Sequence, residues 1–387
     1  MKEMKAYVFA EKGALCLRTL PVPVLADKGQ AGKMGAILRP RFLSPCTSDV
    51  HTVFAGNGPR RENLVLGHEG LAEVVEVGAG VETVRPGQLV AVSAIMPQMT
   101  DGTGHEGSPF SGAMLGRNID GMWAERFFVP MADQNLAPIP AGLSPEAALM
   151  ACDMMQTGFT AAEGAELAAG QTVAVLGTGA VGLMAIAAAK QLGAGRIFAV
   201  GSAGRPECTA LAADYGADLV LAYQDGSCLY ARDGVPAQGD GRFAEFRSPL
   251  ANARNSRAVA ALLNLTENQG VDRVLVCGGG GGALAEACDL VRYGSGEVVS
   301  VEYLEGSGEI GLPIFSLGRG MAGKTFRFLL SKGGRRHLET MLGLAASGSV
   351  GAGRLVTHRL SGFDSIPEAL RLMHERPSGL IKAMVTI

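Results

Sequence analysis

Six residues, Gly177-Thr178-Gly179-Ala180-Val181-Gly182, constrain what this chain can fold into more than any other stretch. They follow an apolar run, Thr172-Val173-Ala174-Val175-Leu176, of the kind buried on both faces of a parallel sheet. They lead into an alanine-rich segment that reads as a helix through Lys190. Strand, glycine turn and helix in that order form a dinucleotide cradle. The first glycine makes the turn, the second admits the pyrophosphate to the backbone, and the third lets helix and strand pack closely. The helix N-terminus then attracts the phosphates. Further strand-like runs follow with helical stretches between them: Arg196-Ile197-Phe198-Ala199-Val200, Leu219-Val220-Leu221, Val274-Leu275-Val276-Cys277 and Val298-Val299-Ser300-Val301. That rhythm is doubly wound α/β.

The next strand bears on which dinucleotide fits. A site selective for NAD places Asp or Glu about 20 residues on, to bond the ribose 2′-hydroxyl. Here the strand ends Val200-Gly201-Ser202 with Arg205 close behind, and no carboxylate. A small residue, a hydroxyl and a cation suit a 2′-phosphate, which favours NADP(H); the alternative is an ordinary solvated loop arginine.

Upstream the pattern differs. From Ala6 to about Pro140, short β-branched runs alternate with Gly and Pro punctuation, as in Leu71-Ala72-Glu73-Val74-Val75-Glu76-Val77-Gly78, which reads as antiparallel β structure. The irregular stretch from Met96 to Asp120, with His105, reads as a long functional or mobile loop. Ser144-Pro145-Glu146 starts a helix well and marks the switch to alternating elements. Between Gly226 and about Arg257 the rhythm breaks into polar sequence with nothing apolar enough for a core strand, so a surface insertion is expected. Near the end, Leu355-Val356-Thr357-His358, the stretch from Ile366 and Ala383-Met384-Val385-Thr386-Ile387 read as strand, helix and strand returning to the first domain.

At 387 residues the chain suits two domains, each burying its own core. A net charge of −3 supplies no basic field, so neither nucleic acid nor anionic lipid is an expected partner. Cysteines at 16, 46, 152, 208, 228, 277 and 288 are odd in number and lack a CxxC pair, which fits a reducing cytoplasm. No stretch approaches the roughly 20 apolar residues of a membrane span.

One short segment carries concentrated chemistry. Pro45-Cys46-Thr47-Ser48-Asp49-Val50-His51 sets a thiol, two hydroxyls, a carboxylate and an imidazole side by side. Zinc takes such donors, and a catalytic zinc keeps one position open. Cys46, His68 and either Cys152 or Asp153 supply three ligands, with Glu69 beside His68 and Asp49 near Cys46. Each residue alone is ambiguous, since a buried cysteine is commonly inert and a lone histidine a satisfied core residue; their joint occurrence points to a metal centre.

Pro45 to His51, Leu66-Gly67-His68-Glu69-Gly70, Asp153-Met154-Met155-Gln156-Thr157-Gly158-Phe159 and Val173-Ala174-Val175-Leu176-Gly177 together resemble the zinc-dependent medium-chain alcohol dehydrogenases. Within these the likeness is to the bacterial NADP-dependent secondary-alcohol (isopropanol) dehydrogenases. It extends to Leu355-Val356-Thr357-His358, Gly362-Phe363-Asp364 and Leu380-Ile381-Lys382. The resemblance implies a GroES-like β-rich catalytic domain over 1–153 and 331–387, and a Rossmann coenzyme domain over 154–330 with an insertion at about 226–257. It implies Cys46, His68 and Asp153 as zinc ligands, and Glu69 as a fourth when substrate is absent. Ser48 would bond the substrate oxygen, His51 would pass its proton to solvent, and Asp49 would orient a ligating imidazole. Thr157 would lie against the nicotinamide, with Gly201, Ser202, Arg205 and Tyr223 around the 2′-phosphate. One catalytic zinc is expected and no structural zinc, because no cysteine lies between Cys46 and Cys152. A small alcohol or carbonyl substrate, a homotetramer and a cytoplasmic setting follow from the same likeness.

The chain departs from that pattern in places. Gly112 to Asp120 is shorter than in the relatives and lacks their tryptophan, with Arg117 and Asn118 there instead. Ala94, Trp123 and Tyr303 are candidate pocket residues, although Trp123 fits a core as well. Gly278 to Gly282 suits close backbone approach near the nicotinamide half. The competing readings are a polyol or amino-alcohol dehydrogenase on the same scaffold, and a dinucleotide-binding protein without turnover.

Overall fold

The computed structural model describes residues 2–56, 61–96, 113–236, 257–302 and 323–387. His105, Tyr303 and residues 237–256 of the expected insertion lie outside the described residues. The chain divides into two compact units, Met1–Gln156 with Ser331–Ile387, and Thr157–Leu330.

The first unit is built on a seven-stranded sheet and a separate hairpin, Glu3–Glu11 with Ala14–Pro21. In the sheet, Ala36–Ser44 pairs antiparallel with both Glu69–Val77 and Phe127–Val129, and Glu69–Val77 continues to Leu89–Val92 and Leu136–Pro138. Lys382–Thr386 closes the other flank against Ala36–Ser44. It also pairs in parallel with Val356–Ser361. A parallel pair needs a crossover, which the helix Ile366–Glu375 provides. That helix buries Ile366, Ala369, Leu370 and Met373 in the core with Val74, Val90 and Trp123, and its Ile, Leu and Met side chains each contribute about 1.5–3 kcal/mol over exposure. Ser144 caps the helix Pro145–Ala151 by accepting the Ala147 amide, 3.3 Å away.

The second unit is a seven-stranded sheet in the spatial order Cys228–Ala231, Leu219–Ala222, Arg196–Gly201, Thr172–Leu176, Arg273–Val276, Glu297–Ser300, Thr325–Phe328. All neighbours are parallel except the first pair. The chain winds outward from Thr172–Leu176 to one edge and then from Arg273–Val276 to the other, so strand order reverses between those two, the switch point at which α/β sheets bind ligands. The apolar run Val173-Ala174-Val175 is wholly buried, as its lack of polar residues requires. Cys228–Ala231, near the start of the expected surface insertion, is an edge strand. Such a strand has one partner and needs no apolar face: Cys228 is exposed, and Leu229, Tyr230 and Ala231 are half-buried.

No described helix is long and apolar enough to cross a membrane.

Candidate active site

The pairing of Ala36–Ser44 with Glu69–Val77 sets Ser44 opposite Glu69. Pro45 and Cys46, leaving one strand, therefore meet His68 and Glu69 entering the other. Gly67 has φ +88°, and a Cβ there would fall 2.1 Å from Cδ1 of Trp123. The glycine lets the indole pack against the backbone behind His68, and the fully buried Trp123 belongs to the core.

Cys46 is the N-cap of the helical turn Thr47–Val50. Its amide donates to Asp49 Oδ2 at 2.9 Å, and the Asp49 amide donates back to the Cys46 carbonyl at 3.1 Å. Folded back in this way, Asp49 places Oδ1 3.4 Å from His68 Nδ1. On the other side of the ring, Nε2 stands 3.6 Å from Asp153 Oδ2 and 3.4 Å from Ser48 Oγ. Asp153 Oδ2 is also 3.7 Å from Cys46 Sγ. One sulfur, one ring nitrogen and two carboxylates, those of Glu69 and Asp153, thus converge with ligand atoms all within 4.8 Å of one another.

Of the two neighbours the sequence leaves open, Asp153 joins this cluster and Cys152 turns away. The Cys152 thiol donates to the carbonyls of Gly70 at 3.3 Å and Ala148 at 3.5 Å, and burial pushes it up to about 12. His51 begins the next turn, His51–Ala55, half-buried and three residues after Ser48. Arg117 reaches the preceding turn, Thr47–Val50, its Nη2 donating to the Ser48 carbonyl at 3.3 Å.

Burial pushes the Cys46 thiol above its ordinary value, and the nearby Glu69 and Asp153 charges push it further. Burial would pull the His68 imidazole down, but Asp49 and Asp153 outweigh it and hold it well above the usual histidine range. Glu69 is raised by burial to about 7, against the pull of Lys382. Concentrated, partly compensated anionic donors are what a cation would stabilise. The donor set suits zinc. So does a second observation: Glu69 Oε2 is buried and accepts no hydrogen bond among the described residues, an acceptor that a metal would satisfy.

Lys382 is the residue that sequence reasoning missed. It is 2% exposed, and its Nζ donates to Glu69 Oε1 and to the Pro45 carbonyl, each at 2.7 Å. A lone charge in the apolar run Ile381-Lys382-Ala383-Met384-Val385 was the available signal, because a buried cation demands a counter-charge.

In the second unit Gly177 turns with φ +97°, and a Cβ there would meet Gly278 N at 2.9 Å. The Gly179 Cβ position has nothing within 4 Å among the described residues, whereas that of Gly182 lies 1.8 Å from the Gly177 carbonyl oxygen. These are the separate space and packing demands of a cradle. The helix Ala180–Gln191 begins there. Gly201 ends its strand, and its carbonyl accepts the Tyr223 amide at 2.9 Å. Ser202 Oγ accepts from Gln224 Nε2 at 3.0 Å, and the Ser202 carbonyl accepts the Arg205 amide at 3.0 Å, so Ala203-Gly204 form the corner of a tight turn. Arg205 Nε donates to Glu207 Oε1 at 2.5 Å. Tyr223 is 53% exposed, open to a ligand. Thr157 lies in the helix Met154–Gly164.

The alcohol dehydrogenase GroES-like domain matches residues 32–141. An NADP-dependent isopropanol dehydrogenase of Thermoanaerobacter brockii is 41% identical over 369 residues, 93% of this chain and 95% of that protein. One of Clostridium beijerinckii is 40% identical, covering 93% and 95%. The solved alcohol dehydrogenase TADH from Thermus sp. ATN1 superposes with a TM-score of 0.77 at 28% identity, covering 99% of each chain.

Proposed function

Since this chain belongs to the zinc-type alcohol dehydrogenase family, we propose that it transfers a hydride between NADP(H) and a secondary alcohol or ketone. The observation that carries the reading is the convergence of Cys46, His68, Glu69 and Asp153 beside Ser48, in a chain so similar to isopropanol dehydrogenases over most of its length.

Cys46, His68 and Asp153 would hold the metal, with Glu69 as the exchangeable fourth ligand. Zinc, when bound, supplies Lewis acidity at the substrate oxygen. NADP(H), when bound, accepts or donates the hydride at its nicotinamide ring. The chain's own groups handle position and protons. Asp49, accepting from Nδ1, fixes the His68 tautomer so that Nε2 is free to ligate. Ser48 Oγ, 3.4 Å from that nitrogen, would accept the alcohol proton as it gives up its own hydroxyl proton, which His51 on the following turn would carry toward solvent. In the reductive direction the same groups return the proton to the carbonyl oxygen.

For the coenzyme, Gly177, Gly179 and Gly182 would receive the pyrophosphate at the start of Ala180–Gln191, and Thr157 would lie against the nicotinamide. Gly201, Ser202, Arg205 and Tyr223 would surround the 2′-phosphate, which must draw the Arg205 guanidinium from Glu207. A single zinc per chain accords with the absence of cysteine between Cys46 and Cys152. By likeness to the family we propose a cytoplasmic homotetramer, which light scattering on the eluting protein tests.

The functional test is NADPH oxidation over a panel of methyl ketones, aldehydes, polyol-derived ketones and amino ketones, repeated with NADH. Turnover of small ketones with NADPH, at rates well above those with NADH at equal low concentration, is expected. Turnover confined to the polyol or amino panel would move the assignment to that class, and no turnover with any would end it.

A further inference from the structure

The paired strands place a cation behind the cluster that no step above uses. Lys382–Thr386 runs antiparallel to Ala36–Ser44 with Val385 opposite Leu43, so the start of that strand falls beside the Pro45-Cys46 turn. There Lys382 is buried, and its ammonium spans two walls of the site: the Pro45 carbonyl on the Cys46 side and Glu69 Oε1 on the His68 side. The Glu69 carboxylate is thereby divided. Oε1 is held by Lys382, while Oε2 is buried and has no hydrogen bond among the described residues, and Glu69 is one of the four residues of the cluster.

Charge explains why a lysine would be kept in such a place. Around a dication, the three anionic donors Cys46, Glu69 and Asp153 leave one negative charge in excess within a buried pocket. Lys382 supplies the balancing charge. With Glu69 withdrawn from the metal, the remaining two anionic donors already match the dication, and the Lys382–Glu69 ion pair is neutral in itself. Two arrangements of Glu69, on the metal or back on Lys382, are thus both electrostatically closed, and the lysine is what makes the second one accessible.

We propose that Lys382 is a positioning residue that sets how readily Glu69 yields the fourth metal position to an incoming ligand. This rests on the reading of the cluster as a metal centre. Without the lysine, the buried carboxylate has only the metal as counter-charge and occupies that position more firmly.

The test uses the full-length protein loaded with cobalt(II), whose visible d–d absorption reports the ligands directly, titrated with imidazole as an exogenous ligand and without turnover. Lys382→Met is expected to weaken imidazole binding about tenfold or more, since one buried charge interaction is worth at least that factor. Lys382→Arg, which keeps the cation, is expected to stay near the parent. Glu69→Gln keeps an acceptor for Lys382 but removes the competing anion; it is expected to strengthen imidazole binding, and Lys382→Met added to it should have little further effect. Glu69→Gln also serves where Lys382→Met fails to fold. Parent-like imidazole affinity in both Lys382→Met and Glu69→Gln overturns the proposal, as does equal weakening by Lys382→Met with and without Glu69→Gln. A parent protein that develops no cobalt d–d band instead overturns the metal-centre reading on which it rests.

Discussion

Gly179→Ala and Gly182→Ala make a paired test of the dinucleotide cradle, because the two glycines serve different ends. At Gly179 the backbone is extended, φ −70° and ψ −176°, and a Cβ would have nothing within 4 Å among the described residues. Alanine there strains nothing in the free protein, and by narrowing the unfolded ensemble it adds about 0.4–1 kcal/mol of stability. The new methyl instead stands where the pyrophosphate approaches the backbone. Losing one charge-assisted hydrogen bond there costs about 1.5–3 kcal/mol, or roughly 10- to 150-fold in the Kd for NADPH. At Gly182 the Cβ would lie 1.8 Å from the Gly177 carbonyl oxygen and 2.8 Å from its carbon, so turn and helix must part. Overpacking of that kind costs about 1–3 kcal/mol of fold stability whether or not coenzyme is present. Urea unfolding without coenzyme and an NADPH fluorescence titration separate the effects. The reasoning fails if Gly179→Ala unfolds as readily as Gly182→Ala, or if it binds NADPH within about twofold of the parent.

Asp272 joins neighbouring strands by accepting the Thr172 amide at 2.8 Å and the Thr172 hydroxyl at 2.7 Å, and its own amide donates to that hydroxyl at 3.0 Å. Burial works against its charge, but these bonds and Arg292 prevail and hold the carboxyl below its usual range, so its stabilisation is full above the ordinary carboxylate pKa and fades as pH falls through the lower folded value. Asp272→Asn should cost about 2 kcal/mol in urea unfolding at pH 7, with the gap to the parent narrowing below about pH 4; a gap independent of pH contradicts this. Arg205→Ala should raise the Kd for NADPH about tenfold and leave that for NADH nearly unchanged, while Glu207→Gln, which frees the guanidinium, should tighten NADPH. Equal effects of Arg205→Ala on both coenzymes contradict the 2′-phosphate assignment. Asp49→Asn should weaken zinc about 10- to 100-fold in a chelator competition, because the His68 ring loses its anionic partner; unchanged affinity shows that the ring is held otherwise.

The parts of the fold that stood plainly in the sequence are those in which local and global demands coincide. The Val173-Ala174-Val175 run is apolar because both sheet faces are covered, and the glycines after it are spaced by the turn they make. Cys46 and His68 stood out as candidate ligands because each sits in a cluster of polar residues at a strand end, where core filler is not needed. The choice between Cys152 and Asp153 lay beyond spacing, since the end of the helix Pro145–Ala151 alone determines which side chain faces Cys46 and which faces Gly70. Lys382 lies far from Glu69 in the chain, and only the register of its strand against Ala36–Ser44 brings the two together. The strand Cys228–Ala231 was hidden for the opposite reason: an edge strand carries no apolar signature.

The central claim is that Cys46, His68 and Asp153 hold a zinc ion with Glu69 in reserve and Cys152 as a bystander. The direct measurement is zinc per chain by plasma mass spectrometry after purification with zinc present and exhaustive dialysis. The parent and Cys152→Ala are predicted to keep about one zinc per chain, and Cys46→Ser and Asp153→Asn to fall far below it while remaining folded by circular dichroism. A zinc-free parent, or full occupancy in the folded Cys46→Ser and Asp153→Asn proteins, would contradict the account.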